Sequence, residues 1–138
     1  ATMFGPPGHL YVYFSYGLHH NGNIVCAPEG DGQGCLMRAG EVVAGEDLAR
    51  ARRQRPERAP IVFENLARGP GNLGQALGLE LSDNGTPVVL QERDSEPVWV
   101  AGPRIGISKN ADAALRFWIP GDKTVSTPRG YPKRPIAT

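Results

Sequence analysis

Apolar and aromatic residues alternate most regularly near the start of the chain. Residues 10–14 (LYVYF) are aromatic and β-branched, which predicts a strand. A period of two places Tyr11 and Tyr13 on one face of that strand and the remaining side chains on the other. Ser15-Tyr16-Gly17 interrupts the run, so Tyr16 is predicted to lie at a bend. His19 to Gly22 is polar and is predicted to form a turn.

Two further short strands are predicted to complete an antiparallel meander. Asn23 to Cys26 is the second strand, Pro28 to Gly34 is a loop of turn residues, and Cys35 to Ala39 is the third strand. Cys26 and Cys35 then face each other across the loop. A disulfide and two buried thiols both fit this arrangement, and buried thiols are the preferred interpretation.

Two short helices and several short strands are predicted farther along the chain. Glu46 to Arg53 begins with acidic residues and ends with arginines, an order that suits the helix dipole, and Pro56 ends it. Pro70 to Leu79 carries apolar residues at helical spacing, with a glycine near its end. The remaining predicted strands are residues 88–91, 97–100, 104–107 and 115–119, and from Pro128 the chain is predicted to be extended or frayed.

The composition fits a small domain with few long helices. A chain of 138 residues can bury a core without disulfide bonds or metal ions to stabilise it. Its 18 glycines and 13 prolines are too many for a helical bundle. Wholesale disorder is excluded because 40% of the residues are hydrophobic and 21% are charged. No apolar run predicts a membrane span, and no signal peptide is visible, so we expect a cytoplasmic protein with no membrane partner.

Charge is distributed unevenly although the net charge is only +1. Residues 1–28 contain no Asp, Glu, Lys or Arg, but they hold all three histidines and three of the four tyrosines. Basic side chains follow in two groups, Arg50, Arg52, Arg53, Arg55 and Arg58, and then Lys123, Arg129, Lys133 and Arg134. Such groups release counterions when they meet phosphate, although a solvated helix face has the same composition.

Two further features indicate candidate chemistry. Tyr11, Tyr13 and Tyr16 are of a type that stacks on bases or enters between base steps, although aromatic residues at strand spacing more often pack within a sheet. Arg38 interrupts an apolar run, so it must either reach water or bind an anion such as phosphate. The histidines and cysteines lack the spacing of metal ligands, and no metal site is predicted.

Taken together, several segments resemble the alkyladenine (3-methyladenine) DNA glycosylases. Residues 3–17 (MFGPPGHLYVYFSYG) resemble the core signature of that family. The other similar segments follow in the family's order: Asn23, GDG at 30–32, LMRA at 36–39, LARGPGNLGQAL at 66–77, PRIGISK at 103–109 and LRF at 115–117. The resemblance covers nearly all of residues 3–120.

The resemblance implies a single α+β (mixed α/β) domain with a curved antiparallel sheet, short flanking helices and a protruding β-hairpin that enters the DNA minor groove. We expect residues 1–127 to form this domain and residues 128–138 to form an extended basic tail. The implied activity is that of a monomeric, monofunctional glycosylase without metal or other cofactor. It would flip alkylated or deaminated purines (the 3-methyladenine and hypoxanthine class) out of duplex DNA and hydrolyse the N-glycosidic bond. If the source is bacterial, association with the nucleoid is expected.

The resemblance also assigns roles to individual residues. Tyr16 corresponds to the tyrosine that fills the gap left by the flipped nucleotide, and Tyr13 to an aromatic residue that stacks on the flipped base. Asn23 corresponds to the asparagine that disfavours the exocyclic amine of guanine. Arg38 corresponds to an arginine of the base pocket near the target phosphate, and Arg53 to an arginine that contacts the DNA backbone.

The general base is expected upstream of Ala1. In the resembled family the catalytic glutamate lies in a Glu-x-Glu-Ala-Tyr-like motif upstream of the segment that starts at Met3, and this chain contains no such motif. Glu41 is the carboxylate nearest in sequence to Arg38 but does not match that base. Two alternatives follow: a damaged-DNA-binding module that uses the same surface without catalysis, and an unrelated small β-rich ligand-binding protein.

Overall fold

Two small antiparallel sheets and two α-helices make up the fold of the computed structural model, which describes residues 2–132. The first sheet has the order β1 (Leu10–Ser15), β2 (His19–Val25) and β3 (Gly34–Leu36), and the second pairs β4 (Val100–Gly102) with β5 (Arg116–Trp118). The helices are α1 (Glu46–Arg53) and α2 (Pro70–Leu77), and short 3-10 turns span Thr2–Phe4, Phe63–Asn65 and Leu81–Asp83. The predicted mixed α+β class is confirmed.

The β1–β2 hairpin is tighter than the sequence predicted. Tyr16 and Gly17 both have a positive φ, of 53° and 65°, and the Leu18 amide donates to the Ser15 carbonyl at 3.0 Å. This turn reverses the chain within three residues, so His19 to Gly22 pairs with β1 instead of forming the predicted turn. That prediction was wrong because the polar side chains of this stretch find partners across the strand: the His20 ring lies 4.9 Å from that of Phe14.

The two faces of β1 differ as the alternation predicted. Leu10 and Val12 are buried, whereas the Tyr11 and Tyr13 rings lie together on the opposite face with centroids 5.8 Å apart. The outer edge of β1 is covered by the chain around residues 84–88. There the Asn84 side chain accepts a 2.7 Å hydrogen bond from the Val12 amide. β1 therefore lies between β2 on one edge and the chain around residues 84–88 on the other, and contacts on both edges hold the hairpin in place.

Helix α2 packs directly on β2 because it carries glycine where the two backbones meet. A Cβ added at Gly74 would overlap the carbonyl oxygen of His20, and one added at Gly71 would lie 2.6 Å from the His19 ring. Helix α2 ends at Leu77, two residues before the predicted limit at Leu79, because Gly78 with a φ of 67° caps it. The other side of α2 faces α1, and the apolar cluster between these elements consists of Ala49, Ala67, Leu73 and Ala76 with Met37 and Val42 against it.

Helix α1 has the predicted bounds, whereas the later strands differ from prediction. Residues 88–91 and 104–107 form no strand. The strand predicted at 115–119 is present as β5, whereas the one predicted at 97–100 overlaps β4 only at Val100. Around residue 88 the chain instead borders the residues just before β1, where the Val88 amide donates to the Gly8 carbonyl at 2.8 Å. β3 ends at Leu36, short of the predicted Ala39, because Gly40 already bonds to Ala67, outside the sheet.

Both cysteines are exposed free thiols, so the interpretation of buried thiols was wrong. The register explains why they do not face each other. Cys35 lies opposite Ile24, and the Cys26 amide donates to the Gln33 carbonyl.

The first residues of the predicted tail are held against β5. Arg116 and Trp118 donate to the carbonyls of Pro128 and Gly130 at 2.7 and 3.1 Å. Lys133 and Arg134, predicted to extend the basic tail, lie outside the described residues. Within residues 2–132, no helix is both long enough and apolar enough to cross a membrane.

The contact between α2 and β2 gives a stability prediction. Alanine normally favours a helix over glycine by about 1 kcal/mol. Gly74→Ala should nevertheless lower the free energy of unfolding by roughly 1–3 kcal/mol, because the methyl group forces α2 away from β2. Urea titration measures this change. Gly130→Ala, a position with no atom within 4 Å of the added Cβ, is the matched control. A Gly74→Ala protein as stable as wild type would contradict the close packing.

Candidate nucleic-acid interface

The tip of the β1–β2 hairpin presents apolar side chains to solvent. The Tyr16 side chain is 95% exposed and Leu18 is 75% exposed, while the strands behind them are paired along their whole length. Tyr16 is also a non-glycine residue in the left-handed region of φ, which costs conformational energy and is uncommon. An exposed aromatic ring at a strained turn on a paired hairpin is suited to insertion into another molecule. The predicted position of Tyr16 at a bend is confirmed.

Two asparagines of β2 lie opposite the tyrosines of β1. Tyr13 is paired with Asn21 and Tyr11 with Asn23 in the strand register. The Asn21 side-chain amide donates to the Tyr13 hydroxyl at 3.3 Å, and the Asn23 amide donates to the Tyr11 carbonyl at 3.5 Å. Both asparagines are more than nine-tenths buried, whereas the tyrosines are half-buried. The sheet thus places the predicted residues Tyr13 and Asn23 on one face.

Arg38 lies just after β3, in a part of the chain rich in cations. Its neighbour Ala39 forms a β-bridge with Arg68, and the Arg68 guanidinium donates to the Lys123 carbonyl. Arg116 on β5 is only 3% exposed, and its pKa is lowered by burial and by the charge of Arg38. Carbonyls of residues 126 and 128 accept its hydrogen bonds.

Arg116 has no carboxylate partner within residues 2–132, where Arg50 and Glu46 form the one ion pair. The Trp118 ring lies 4.4 Å below its guanidinium instead. The positive charge near Arg38 is therefore not neutralised by a salt bridge, and an anion such as phosphate would be attracted there.

The arginines of α1 mostly bind the protein itself. Arg50 donates to the Ile61 carbonyl at 2.6 Å, and Arg52 donates to the Ala76 carbonyl in the last turn of α2 at 3.0 Å. Arg53 donates from Nε to the Leu66 carbonyl and from Nη2 to the Asn65 carbonyl, at 3.0 and 3.1 Å. Burial lowers the pKa of Arg53. These arginine side chains therefore connect α1 to residues 61–66 and to the end of α2.

A groove of about 970 Å³ runs from the hairpin towards α1 and α2. Leu18 and His19 line its hairpin side, and Arg53, Arg55 and Arg58 line its helical side. A second cavity of about 300 Å³ lies between α1 and residues 40–45. Neither of these two is lined by Tyr13, Asn23 or Arg38, the predicted base-pocket residues.

The structure separates the predicted site residues into groups. Tyr13, Asn23 and Tyr16 share the hairpin, whereas Arg38 follows β3 and Arg53 ends α1. Glu41 is exposed. No cluster of three or more His, Cys, Asp or Glu side chains suited to a metal ion occurs within residues 2–132.

Two residues of this region were missed in the sequence. Asn21 was assigned to a turn, although its spacing of two from Asn23 would have placed both on one strand face. Arg116 lies in the LRF segment but was given no role, because its partners are carbonyls of residues 126 and 128, which have no side-chain signature.

Comparison with known proteins identifies the class first: residues 1–123 match a model of DNA glycosylases, described as Methylpurine-DNA glycosylase (MPG). The chain belongs to the methylpurine-DNA glycosylase family. The predicted family resemblance is confirmed. DNA is accordingly the partner of this fold.

Bacterial relatives cover nearly the whole chain. A protein of Corynebacterium efficiens named "Putative 3-methyladenine DNA glycosylase" is 62% identical over 138 residues, which are 96% of this chain and 70% of that protein. A protein of the same name from Corynebacterium glutamicum ATCC 13032 is 60% identical over 96% of this chain and 71% of its own length. One from Mycobacterium leprae TN is 44% identical over 98% of this chain and 64% of its own length. The chain thus spans about two thirds of the length of these relatives.

The contacts of Arg53 lead to a second stability prediction. Arg53→Ala should lower the free energy of unfolding by about 2 kcal/mol, because the carbonyls of Asn65 and of the fully buried Leu66 lose a charged donor. Arg53→Lys should recover little of this loss, since an ammonium group cannot reproduce the planar fork. Urea titration is the measurement. Arg55→Ala is the matched control because Arg55 is exposed at the rim of the same groove. Equal stability of the Arg53 and Arg55 variants would contradict the structural role of Arg53.

Proposed function

We propose that this chain binds duplex DNA around a damaged purine, holds the nucleotide flipped out of the helix, and takes part in monofunctional hydrolysis of its N-glycosidic bond. The observation that carries the proposal is the exposed Tyr16 ring at the tip of a fully paired hairpin. The family membership and the names of the relatives support damaged purines of the 3-methyladenine class as substrates.

Tyr16 is proposed to fill the space that the flipped nucleotide leaves. Unstacking a base costs a few kcal/mol, and an aromatic wedge that restacks with the neighbouring base pairs offsets part of that cost. The hairpin suits this role because its backbone is already ordered by pairing between β1 and β2. Inserting the ring therefore orders few additional torsions on binding.

The flipped base is proposed to lie against the tyrosine–asparagine face of the hairpin. Tyr13 would stack on the base, and Asn23 would disfavour the exocyclic amine of guanine. Arg38 would bind the phosphate of the flipped nucleotide, because that part of the chain carries unneutralised positive charge. Arg53 would reach the DNA backbone from the groove through Nη1, the guanidinium nitrogen not used in its two carbonyl bonds.

The hydrolysis step requires a carboxylate that activates water and stabilises the positive charge developing on the sugar. We assign no residue of this chain to that role, because the resemblance places the glutamate ahead of Met3. Base release should therefore be measured with this chain and with a form extended upstream to include the Glu-x-Glu-Ala-Tyr-like stretch. Release by the extended form is the expected result. Equal release by the 138-residue chain would show that a carboxylate of this chain activates the water. Glu41 would then be the first residue to test.

The wedge proposal predicts a loss of damage recognition on removal of one ring. Tyr16→Ser should weaken binding to a duplex with a single hypoxanthine by about 1–3 kcal/mol, roughly 5- to 150-fold in Kd, because the stacking of the ring is lost. Binding to the undamaged duplex should change much less. Fluorescence anisotropy at fixed salt concentration measures both affinities.

Val43→Ser is the control for this experiment. Val43 is an exposed apolar side chain outside the hairpin, so its replacement should leave both affinities unchanged. A Tyr16→Ser protein that prefers the hypoxanthine duplex as strongly as wild type does would rule out the wedge role.

The phosphate proposal makes a separate prediction about salt. Arg38→Gln should reduce the slope of log K against log salt concentration by roughly 1, because one fewer phosphate charge is neutralised. Arg93→Gln, at an exposed arginine in the loop before β4, should leave the slope unchanged. Identical slopes for wild type and Arg38→Gln would exclude a phosphate contact by Arg38.

A further inference from the structure

Asn21 is a buried polar residue whose own hydrogen-bonding needs are only partly met. The side chain is 6% exposed, and its Nδ2 donates to the Tyr13 hydroxyl at 3.3 Å. Its Oδ1 is buried and accepts no hydrogen bond within residues 2–132. Burying a carbonyl oxygen without a partner destabilises a fold, so an apolar side chain would be better here if stability alone mattered.

The bond from Asn21 fixes the Tyr13 ring at its outer end. The two residues are directly paired across β1 and β2, so the bond spans one rung of the hairpin. On the same face of β1 the Tyr11 ring lies 5.8 Å from that of Tyr13 at an angle of 30°. The Tyr13 ring is therefore held by a neighbouring ring at its side and by an amide at its hydroxyl.

The same bond sets the direction in which the Tyr13 hydroxyl can donate. Because the hydroxyl oxygen accepts from the Asn21 amide, its hydrogen is directed away from Nδ2 and is available to another acceptor. Without the amide, the hydroxyl could rotate and the ring could turn about its side-chain torsions. Stacking a planar base on an already oriented ring loses less conformational entropy than stacking it on a mobile one.

We propose that Asn21 is a positioning residue that acts through the Tyr13 hydroxyl to hold the ring in the orientation that receives the flipped base. The inference rests on the proposed function and adds a residue to it. In this role Asn21 acts on recognition through its hydrogen bond to the Tyr13 hydroxyl and needs no contact with the base.

A double-mutant cycle tests this coupling, using wild type, Asn21→Leu, Tyr13→Phe and the double variant of the full 138-residue chain. Each is measured by urea unfolding without DNA and by the ratio of its affinities for hypoxanthine-containing and undamaged duplexes. Each single substitution should lower this ratio about 2- to 10-fold, since each removes the same hydrogen bond. The double variant should lose no more than either single variant, because the bond can be lost only once.

Two comparisons separate positioning from a general loss of stability. Tyr13→Phe removes one oxygen and keeps the ring, so it tests the bond even if Asn21→Leu does not fold. Val12→Ala shortens a buried side chain on the opposite face of β1 and should lower stability without changing the affinity ratio. A Val12→Ala ratio as low as that of the Tyr13 variant would assign the effect to stability and overturn the inference.

The outcomes also separate this inference from the proposed function. Additive losses in the double variant, or wild-type ratios in both single variants, would overturn the role of Asn21 and leave the proposed function standing. Equal affinity of the wild-type chain for both duplexes would overturn the proposed function and the recognition role of Asn21 with it. In the urea experiment, a contrary result is that the losses in free energy of unfolding of the two single variants simply add up in the double variant. That result would show that the hydrogen bond between Asn21 and Tyr13 is not formed, and it would also overturn the inference.

Discussion

The close contact between α2 and β2 at Gly74 is the constraint on which the rest of the fold depends. A glycine there lets the helix backbone meet the His20 carbonyl with no side chain between them. β2 is also the strand that carries one half of the hairpin and pairs with both of its neighbours. The hairpin is therefore anchored through β2 while its tip extends freely. The proposed wedge residue Tyr16 is thereby carried on a base that is fixed to the rest of the fold.

The arginines extend this anchoring from α2 to α1 and beyond. Arg52 satisfies a carbonyl in the last turn of α2, which has no partner within the helix, and Arg53 satisfies two carbonyls around the turn at Phe63–Asn65. Carbonyl acceptors do not neutralise the guanidinium charge as carboxylates would. These bonds stabilise the fold and also leave its surface positive, so one set of side chains contributes to both stability and a positive surface potential.

Local patterns in the sequence predicted the elements whose structure is decided locally. Helix α1 has its predicted bounds because its acidic first turn and its basic last turn lie within its own residues, and Tyr16 lies at the predicted bend because Gly17 follows it. His19 to Gly22 was misassigned because its polar side chains are matched by residues on β1, which a local pattern does not reveal. The interpretation of Arg53 from the family resemblance was incomplete for the same reason. Its carbonyl partners are 12 and 13 residues away and carry no side-chain signature.

The uneven charge distribution acquires a physical meaning in this arrangement. The hairpin comes from residues 1–28, which carry no charged side chain, whereas the cations Arg38, Arg53 and Arg116 come from later segments. A charged group carried into the base stack would have to lose its hydration, which is costly, while a neutral aromatic ring enters at little cost. Phosphates lie outside the stack, where cations lose less of their hydration and release counterions on binding. The proposed function, in which a neutral wedge opens a DNA duplex beside a positive surface, is consistent with this division of charge.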